Sequence, residues 1–327
     1  MVSKEKELEP VFAFGFPRSG TTLLASVLER HPEICATPET HFLTKVCRRS
    51  LLGTWNYRQP ATSVDKLLSQ PYLNDISLNI SRGSLLRKDR PPNPATFFRS
   101  LLTDYGECRN ARIVVEKTPE HLLHALTLAN WFPNAKFVCV VRDGRDVVSS
   151  VIKMPGASQW LAYHAASWSR FAAKEQRIEK HLAGRYLRIR YEDLIENPIA
   201  VVSNIDKFIG VQFHQNQITP SNNLESVPEW EMPWKAKTIR GFDPKRCYAY
   251  RTSLSQETQD QLTHIMREPL LHYGYNGKSN KTPRRCYSFT QRFLLGLAVS
   301  HPMKAARRLA RKCLTILGKL DPIPKKT

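Results

Sequence analysis

The stretch GFPRSGTT, Gly15 to Thr22, sets two glycines five residues apart behind the apolar run VFAF, with Arg18, Ser19, Thr21 and Thr22 around the second. Glycines at that spacing let a loop bend tightly into a helix, whose first N–H groups and positive dipole end attract an anion. The hydroxyls add donors and Arg18 adds a cation. A nucleoside triphosphate loop carries lysine directly after its second glycine, where this chain has Thr21. No apolar strand ending in aspartate offers a magnesium partner either. The expected ligand is a terminal 5′-phosphate held without a triphosphate–metal mechanism.

The elements that must hold this loop follow from hydrophobic periodicity. VFAFG (11–15) reads as a strand, and Leu23, Leu24, Val27 and Leu28 then repeat at helical spacing. RIVVE (112–116), KFVCVV (136–141) and RYLRIR (185–190) read as further strands, followed by helical segments around 119–131, 144–153 and 191–196. This alternation predicts an α/β fold with a central parallel sheet covered by helices on both faces. Ligands of such sheets sit beyond the carboxyl ends of the strands. Residues 51–95, with Trp55, Tyr57 and DRPPNPATFF, read as an insertion able to shape a substrate cleft. Residues 211–250 read as irregular, and 255–275 as helical.

Charge narrows the partners. The 327 residues carry 49 basic and 29 acidic side chains, a net +20, which favours polyanions: nucleic acid, anionic lipid, or phosphorylated and sulfated compounds. The segment 281–327 holds twelve Lys and Arg against one Asp. On a helical wheel of 303–320, Leu309, Cys313, Ile316, Leu317 and Leu320 share one face and the basic residues the other. That helix either docks on its own domain or lies on an anionic membrane surface or an acidic partner. Seven cysteines without C-x-x-C spacing signal neither zinc nor a redox pair, and their odd number leans towards a reducing compartment. Residues 1–10 are charged and no run approaches the ~20 apolar residues of a membrane span, so the expected location is cytoplasmic, with a peripheral membrane contact through the tail.

PRSGTTLL behind a short strand resembles the 5′-phosphosulfate loop of sulfotransferases that use 3′-phosphoadenosine 5′-phosphosulfate, PAPS. FVCVVRDGRDVVSSVIK (137–153) is similar to the segment in which those enzymes grip the 3′-phosphate, which implies Arg142 at the strand end and Ser150 about two turns along the next helix. The run RSGTTLLASVLERHPEICATPET resembles protein-tyrosine sulfotransferases, where the glutamate before the closing threonine is the base; here that is Glu39. VVEKTP (114–119) resembles the carbohydrate sulfotransferase segment whose lysine contacts the transferring sulfo group, implying Lys117. YEDL implies Tyr191 beside the nucleotide, and YRTSLS implies Arg251 in the loop that covers it. Sulfotransferases of phenols and steroids carry lysine in the first loop and a histidine after the third strand. Arg18 in that place, and His121 farther along, favour the glutamate-based branches.

The resemblance implies a P-loop-like three-layer fold and a catalytic domain over 1–280, with 51–110 as a substrate-shaping insertion and 281–327 as a basic helical tail. Its reaction is an in-line displacement at sulfur. Arg18 and Lys117 would stabilise charge on the leaving oxygen, and Glu39 would take the acceptor proton. PAPS is the expected co-substrate, PAP the product, and no metal is implied. The acceptor is a hydroxyl of a carbohydrate, a glycolipid or a protein tyrosine, and no nucleic-acid partner is expected. His41, His121 and His124 remain as other bases. Two competing readings stand: a nucleotide or small-molecule kinase, against which Thr21 argues, and a non-catalytic polyanion binder, whose affinity would collapse steeply with salt.

Overall fold

The computed structural model describes residues 10–46, 93–154, 157, 160–219 and 241–278. The expected helix over 303–320, most of the insertion with Trp55 and Tyr57, and residues 220–240 of the irregular stretch lie outside the described residues. The chain divides into two compact units, Met1–Val141 with Ile178–Pro244, and Arg142–Arg177 with Lys245–Thr327.

The first unit carries a five-stranded, wholly parallel sheet: β1 (Val11–Gly15), β2 (Ile34–Ala36), β3 (Ile113–Lys117), β4 (Lys136–Val141) and β5 (Tyr186–Arg190), in the order β2-β3-β1-β4-β5. Its central strands are buried along almost their whole length, which is why they read as unbroken apolar runs. The chain leaves β1 towards β2 on one side of the sheet and leaves β4 towards β5 on the other. The carboxyl ends of β1 and β4 therefore flank the topological switch point, where such sheets bind ligands.

Phe12, Phe14 and Phe137 stack along β1 and β4, and Phe98 lies face to face with Phe42 at 4.2 Å between ring centroids. Phe98 belongs to a helix (Pro94–Glu107) whose Asn93 and Thr96 cap each other reciprocally, with proline at the first turn. Phe97, Phe98, Leu101, Leu102 and Tyr105 of this helix are buried, so the last part of the expected 51–110 insertion is core. Each such ring contributes about 2–3 kcal/mol of apolar burial.

Helix α1 (Thr21–Glu29) follows the loop after β1, α2 is Pro94–Glu107 and α3 is Ala125–Trp131. The helix expected over 119–131 begins instead as a 3-10 turn, Pro119–His124. Strand β5 runs straight into α6 (Tyr191–Glu196) and then α7 (Pro198–Ile209), which Gly210 ends in the left-handed region at φ 90°. The second unit is helical among its described residues: α4 (Gly144–Val151), most of α5 (Leu161–His181), α8 (Tyr250–Ser253), α9 (Gln256–Ile265) and α10 (Arg267–His272). Among the described residues no helix is long and apolar enough to cross a membrane.

Candidate active site

The phosphate loop is shaped by two glycines that tolerate no side chain. A Cβ on Gly15 would stand 2.8 Å from the Val140 carbonyl oxygen and 2.6 Å from Thr21 Cγ2. Gly20 has φ 100°, and a Cβ there would sit 2.4 Å from Tyr191 Cδ2. The ring of Tyr191, itself buried, thus lies against the loop. Arg18 also adopts a left-handed φ of 72°, a conformation that costs about 1–2 kcal/mol and recurs at ligand-binding turns.

Two features of the loop suit an anion. Helix α1 starts at Gly20 with no side-chain cap, leaving its first N–H groups to a ligand or to solvent. Ser19 is 1% exposed and its Oγ has no hydrogen-bond partner among the described residues. Such an orphan costs about 1–3 kcal/mol until something bonds to it. Thr21 and Thr22 are buried beside it. These residues fit a phosphate or phosphosulfate.

We expect Gly20→Ala to lower stability by roughly 2–5 kcal/mol, through left-handed strain and the clash with Tyr191, and to abolish anion binding at the loop. Thermal unfolding with calorimetric titration of the bisphosphate checks this. A variant with unchanged melting and affinity would contradict the described loop.

Lys117 ends β3 and pairs in register with Ala13, two residues before Gly15. Its side chain is 1% exposed, and its Nζ donates to Glu39 Oε1 at 3.0 Å. A buried ammonium needs such a partner, because desolvation costs several kcal/mol per ion. Glu39 keeps 19% exposure, and its Oε2 lies 3.5 Å from His41 Nε2. The carboxylate and the cation that the sequence singled out, 78 residues apart, are therefore brought together on one side of the first unit. What joins them is β2, a three-residue strand that delivers Thr37, Pro38 and Glu39 to the carboxyl edge of the sheet.

His121, one of the other histidines considered as a base, is tied into a buried network. It is fully buried; its Nε2 accepts the Leu43 N–H at 3.1 Å and its Nδ1–H donates to Glu116 Oε2 at 2.9 Å. Glu116, equally buried, also accepts the hydroxyls of Thr40 and Thr118 at 2.7 and 2.6 Å. Burial alone would raise its carboxyl, but His121, Thr118 and Thr40 together outweigh it and hold Glu116 below the ordinary glutamate range. Sequence reasoning passed over Glu116 and Thr118, although both stand inside VVEKTP. It also missed Thr37, whose buried Oγ1 has no hydrogen-bond partner among the described residues.

The second unit holds the other expected contacts. Arg142 follows β4 directly; its Nη2 donates to the Arg246 carbonyl at 2.6 Å and lies 3.7 Å from Asp146 Oδ2. Asp146 Oδ1 accepts the Tyr250 N–H at 2.7 Å, and burial, opposed by Arg142, pushes the carboxyl of Asp146 above its ordinary value. Arg145 forks onto Asp143 at 2.9 and 2.6 Å and lies over the Tyr250 ring, 4.4 Å from its centroid. Burial alone would make that guanidinium less basic, yet the Asp143 carboxylate outweighs it and raises the group. These bonds anchor the turn 246–253 to α4. Within it, the Arg251 guanidinium covers Tyr248 at 4.7 Å. Ser149 Oγ lies 2.8 Å from Ser253 Oγ, and Ser150, the serine expected from the resemblance, is half-buried next to it on α4. Among the described residues no cluster of ligating side chains could hold a metal.

Residues 10–215 match the sulfotransferase family. The chain is 29% identical over 217 residues to protein-tyrosine sulfotransferase 2 of Gallus gallus, across 64% of this chain and 53% of that protein. It is 26% identical over 234 residues to protein-tyrosine sulfotransferase A of Caenorhabditis elegans, across 66% of this chain and 55% of that one. The chain thus spans just over half the length of these two relatives. Among solved structures it resembles the sulfotransferase domain of the Synechococcus PCC 7002 olefin synthase, with TM-score 0.58 and 21% identity over 84% of this chain and 97% of that one. The sulfotransferase domain from the curacin biosynthetic pathway gives TM-score 0.53 and 19% identity over 82% and 98%. Both are likenesses of fold.

Proposed function

The chain belongs to the sulfotransferase family, and from that membership we propose that it moves the sulfo group of PAPS onto a tyrosine hydroxyl of an acidic polypeptide. The observation that carries this reading is the Glu39–Lys117 pair, Nζ to Oε1 3.0 Å, at the carboxyl edge of the sheet that also bears the phosphate loop. The loop residues Arg18, Ser19, Gly20, Thr21 and Thr22 would hold the 5′-phosphosulfate. Arg142, Ser150, Tyr191 and Arg251 are assigned to the 3′-phosphate and the nucleotide on the strength of the motif resemblance.

In the proposed reaction the acceptor oxygen attacks sulfur in line. The new S–O bond forms as the bond from sulfur to the 5′-phosphate oxygen breaks, and PAP leaves with the negative charge. Glu39 takes the acceptor proton, a task worth on the order of 10²–10⁴ in rate. Lys117 and Arg18 stabilise the charge that grows on the leaving oxygen, each by roughly 10²–10³ in rate if they act as donors of this kind do. The names of the curated relatives favour tyrosine over sugar or glycolipid acceptors, and a net charge of +20 suits an acidic polypeptide as it suits other polyanions.

The test is transfer of labelled sulfo groups from PAPS to a tyrosine-bearing acidic peptide, its phenylalanine counterpart and a panel of saccharides and glycolipids. Label on the tyrosine peptide alone is expected. Label confined to a sugar would overturn the acceptor, and no transfer to any acceptor would overturn the reaction. Separately, Arg142→Ala is expected to weaken PAP binding about 10- to 100-fold, the worth of one charge-assisted contact, and to leave 5′-AMP binding unchanged. Equal loss for both nucleotides would remove Arg142 from the 3′-phosphate.

A further inference from the structure

We propose that the buried carboxylate of Glu116, acting through Thr40, is a positioning residue that fixes the Glu39 carboxylate against Lys117; this rests on the reading of Glu39 as the base. Consecutive residues of a strand point to opposite faces. Lys117 at the end of β3 bonds Glu39, and Glu116 one residue earlier bonds Thr40, the residue after Glu39, at 2.7 Å. The segment carrying the base is therefore laced to β3 twice, by adjacent residues on both sides. The lacing continues beyond it: the His41 N–H donates to Thr118 Oγ1 at 3.3 Å, the Phe42 N–H to Thr40 Oγ1 at 3.2 Å, and the Leu43 N–H to His121 Nε2 at 3.1 Å.

Glu116, His121, Thr118 and Thr40 are each fully buried. Three protons converge on the Glu116 carboxylate, from Thr40, Thr118 and His121, a load that only an ionised carboxylate accepts without a mismatched donor. His41, at φ 47°, is held in the left-handed region between these bonds, so the chain turns sharply right after the base. A site that needs its base placed to within about 0.5 Å depends on such a frame. Displacement by ~1 Å costs on the order of 100-fold in rate.

Thr40→Val removes the hydroxyl while keeping the shape. We expect kcat in the labelled-sulfate assay, with whichever acceptor takes the label, to fall ~10- to 100-fold while PAP affinity, set by the loop after β1, stays at the wild-type value. Thr40→Ser, which restores the hydroxyl, should recover most of the loss. Wild-type kcat in Thr40→Val overturns the inference, as does a fall in kcat that merely tracks the folded fraction and PAP affinity. If Thr40→Val does not fold, Thr118→Val is read in the same way, since it removes a second tie and leaves Thr40 on Glu116. Glu39→Gln run alongside separates the two ideas: an inactive Glu39→Gln with a fully active Thr40→Val sinks the positioning role alone, and an active Glu39→Gln sinks the base assignment under it.

Discussion

Glu39→Gln should reduce kcat by about 10²–10⁴-fold while PAP binds as tightly as to the unchanged enzyme. Gln keeps the size of the side chain and can still accept a hydrogen bond from Lys117, so the pair at 3.0 Å survives in outline. What it loses is the ability to take a proton from the acceptor. Single-turnover transfer from labelled PAPS, with the bisphosphate titrated by calorimetry, separates the chemical step from donor binding. Because the change takes the counter-charge from the Lys117 ammonium, whose side chain is 1% exposed, stability should fall, by less than the about 3–5 kcal/mol of a fully buried pair, and transfer is compared per folded enzyme. Full activity would move the base elsewhere. The nearest histidine, His41, lies 3.5 Å from Glu39, so His41→Ala is the companion variant.

Lys117→Met is expected to cost about 10²–10³ in kcat and the same factor in kcat/KM, because a contact made only as the leaving oxygen gains charge lowers both equally. Methionine fills the buried space of the lysine stem, and Glu39 retains access to water, so the fold should tolerate the change better than the loss of one member of a fully buried pair, which costs about 3–5 kcal/mol. A second result distinguishes catalysis from mere charge balance. If the two residues act as a unit, the double variant Glu39→Gln with Lys117→Met loses little more than the worse single one. Losses that multiply would mean that they act separately, and an increase in KM with kcat unchanged would reduce Lys117 to a binding contact.

The parts of this site that were legible in the sequence are those in which local pattern and chemistry coincide. A buried parallel strand must be apolar, a tight turn into a helix must be glycine-rich, and an anion site there needs hydroxyls; VFAFGFPRSGTT states all three within twelve residues. Lys117 and Tyr191 were legible as strand-end residues in recognisable segments. The strand β2 was not, because three residues, ICA, are too few to show alternation or a run, and its pairing with β3 depends on a partner about 80 residues away. The same distance hid the tie between Thr40 and Glu116. From Pro119 the first turn of the expected helix closes by three-residue bonds such as the His121 N–H to the Thr118 carbonyl, a local choice of turn that hydrophobic periodicity does not register. Nor does periodicity show that Ser149 meets Ser253, 104 residues on. The division into two units was equally unreadable, because the chain leaves the first at Arg142 and re-enters it at Ile178 within a single helix.

The measurement that bears most directly on the account is calorimetric titration of the unmodified protein with 3′-phosphoadenosine 5′-phosphate, with 5′-AMP and Mg-ATP as comparators. Thr21 in place of lysine predicts no gain from magnesium or a γ-phosphate, and Arg142 and Ser150, assigned to the 3′-phosphate, predict tight binding of the bisphosphate and markedly weaker binding of 5′-AMP. Preference for Mg-ATP, or equal affinity with and without the 3′-phosphate, would contradict the assignment of PAPS as donor.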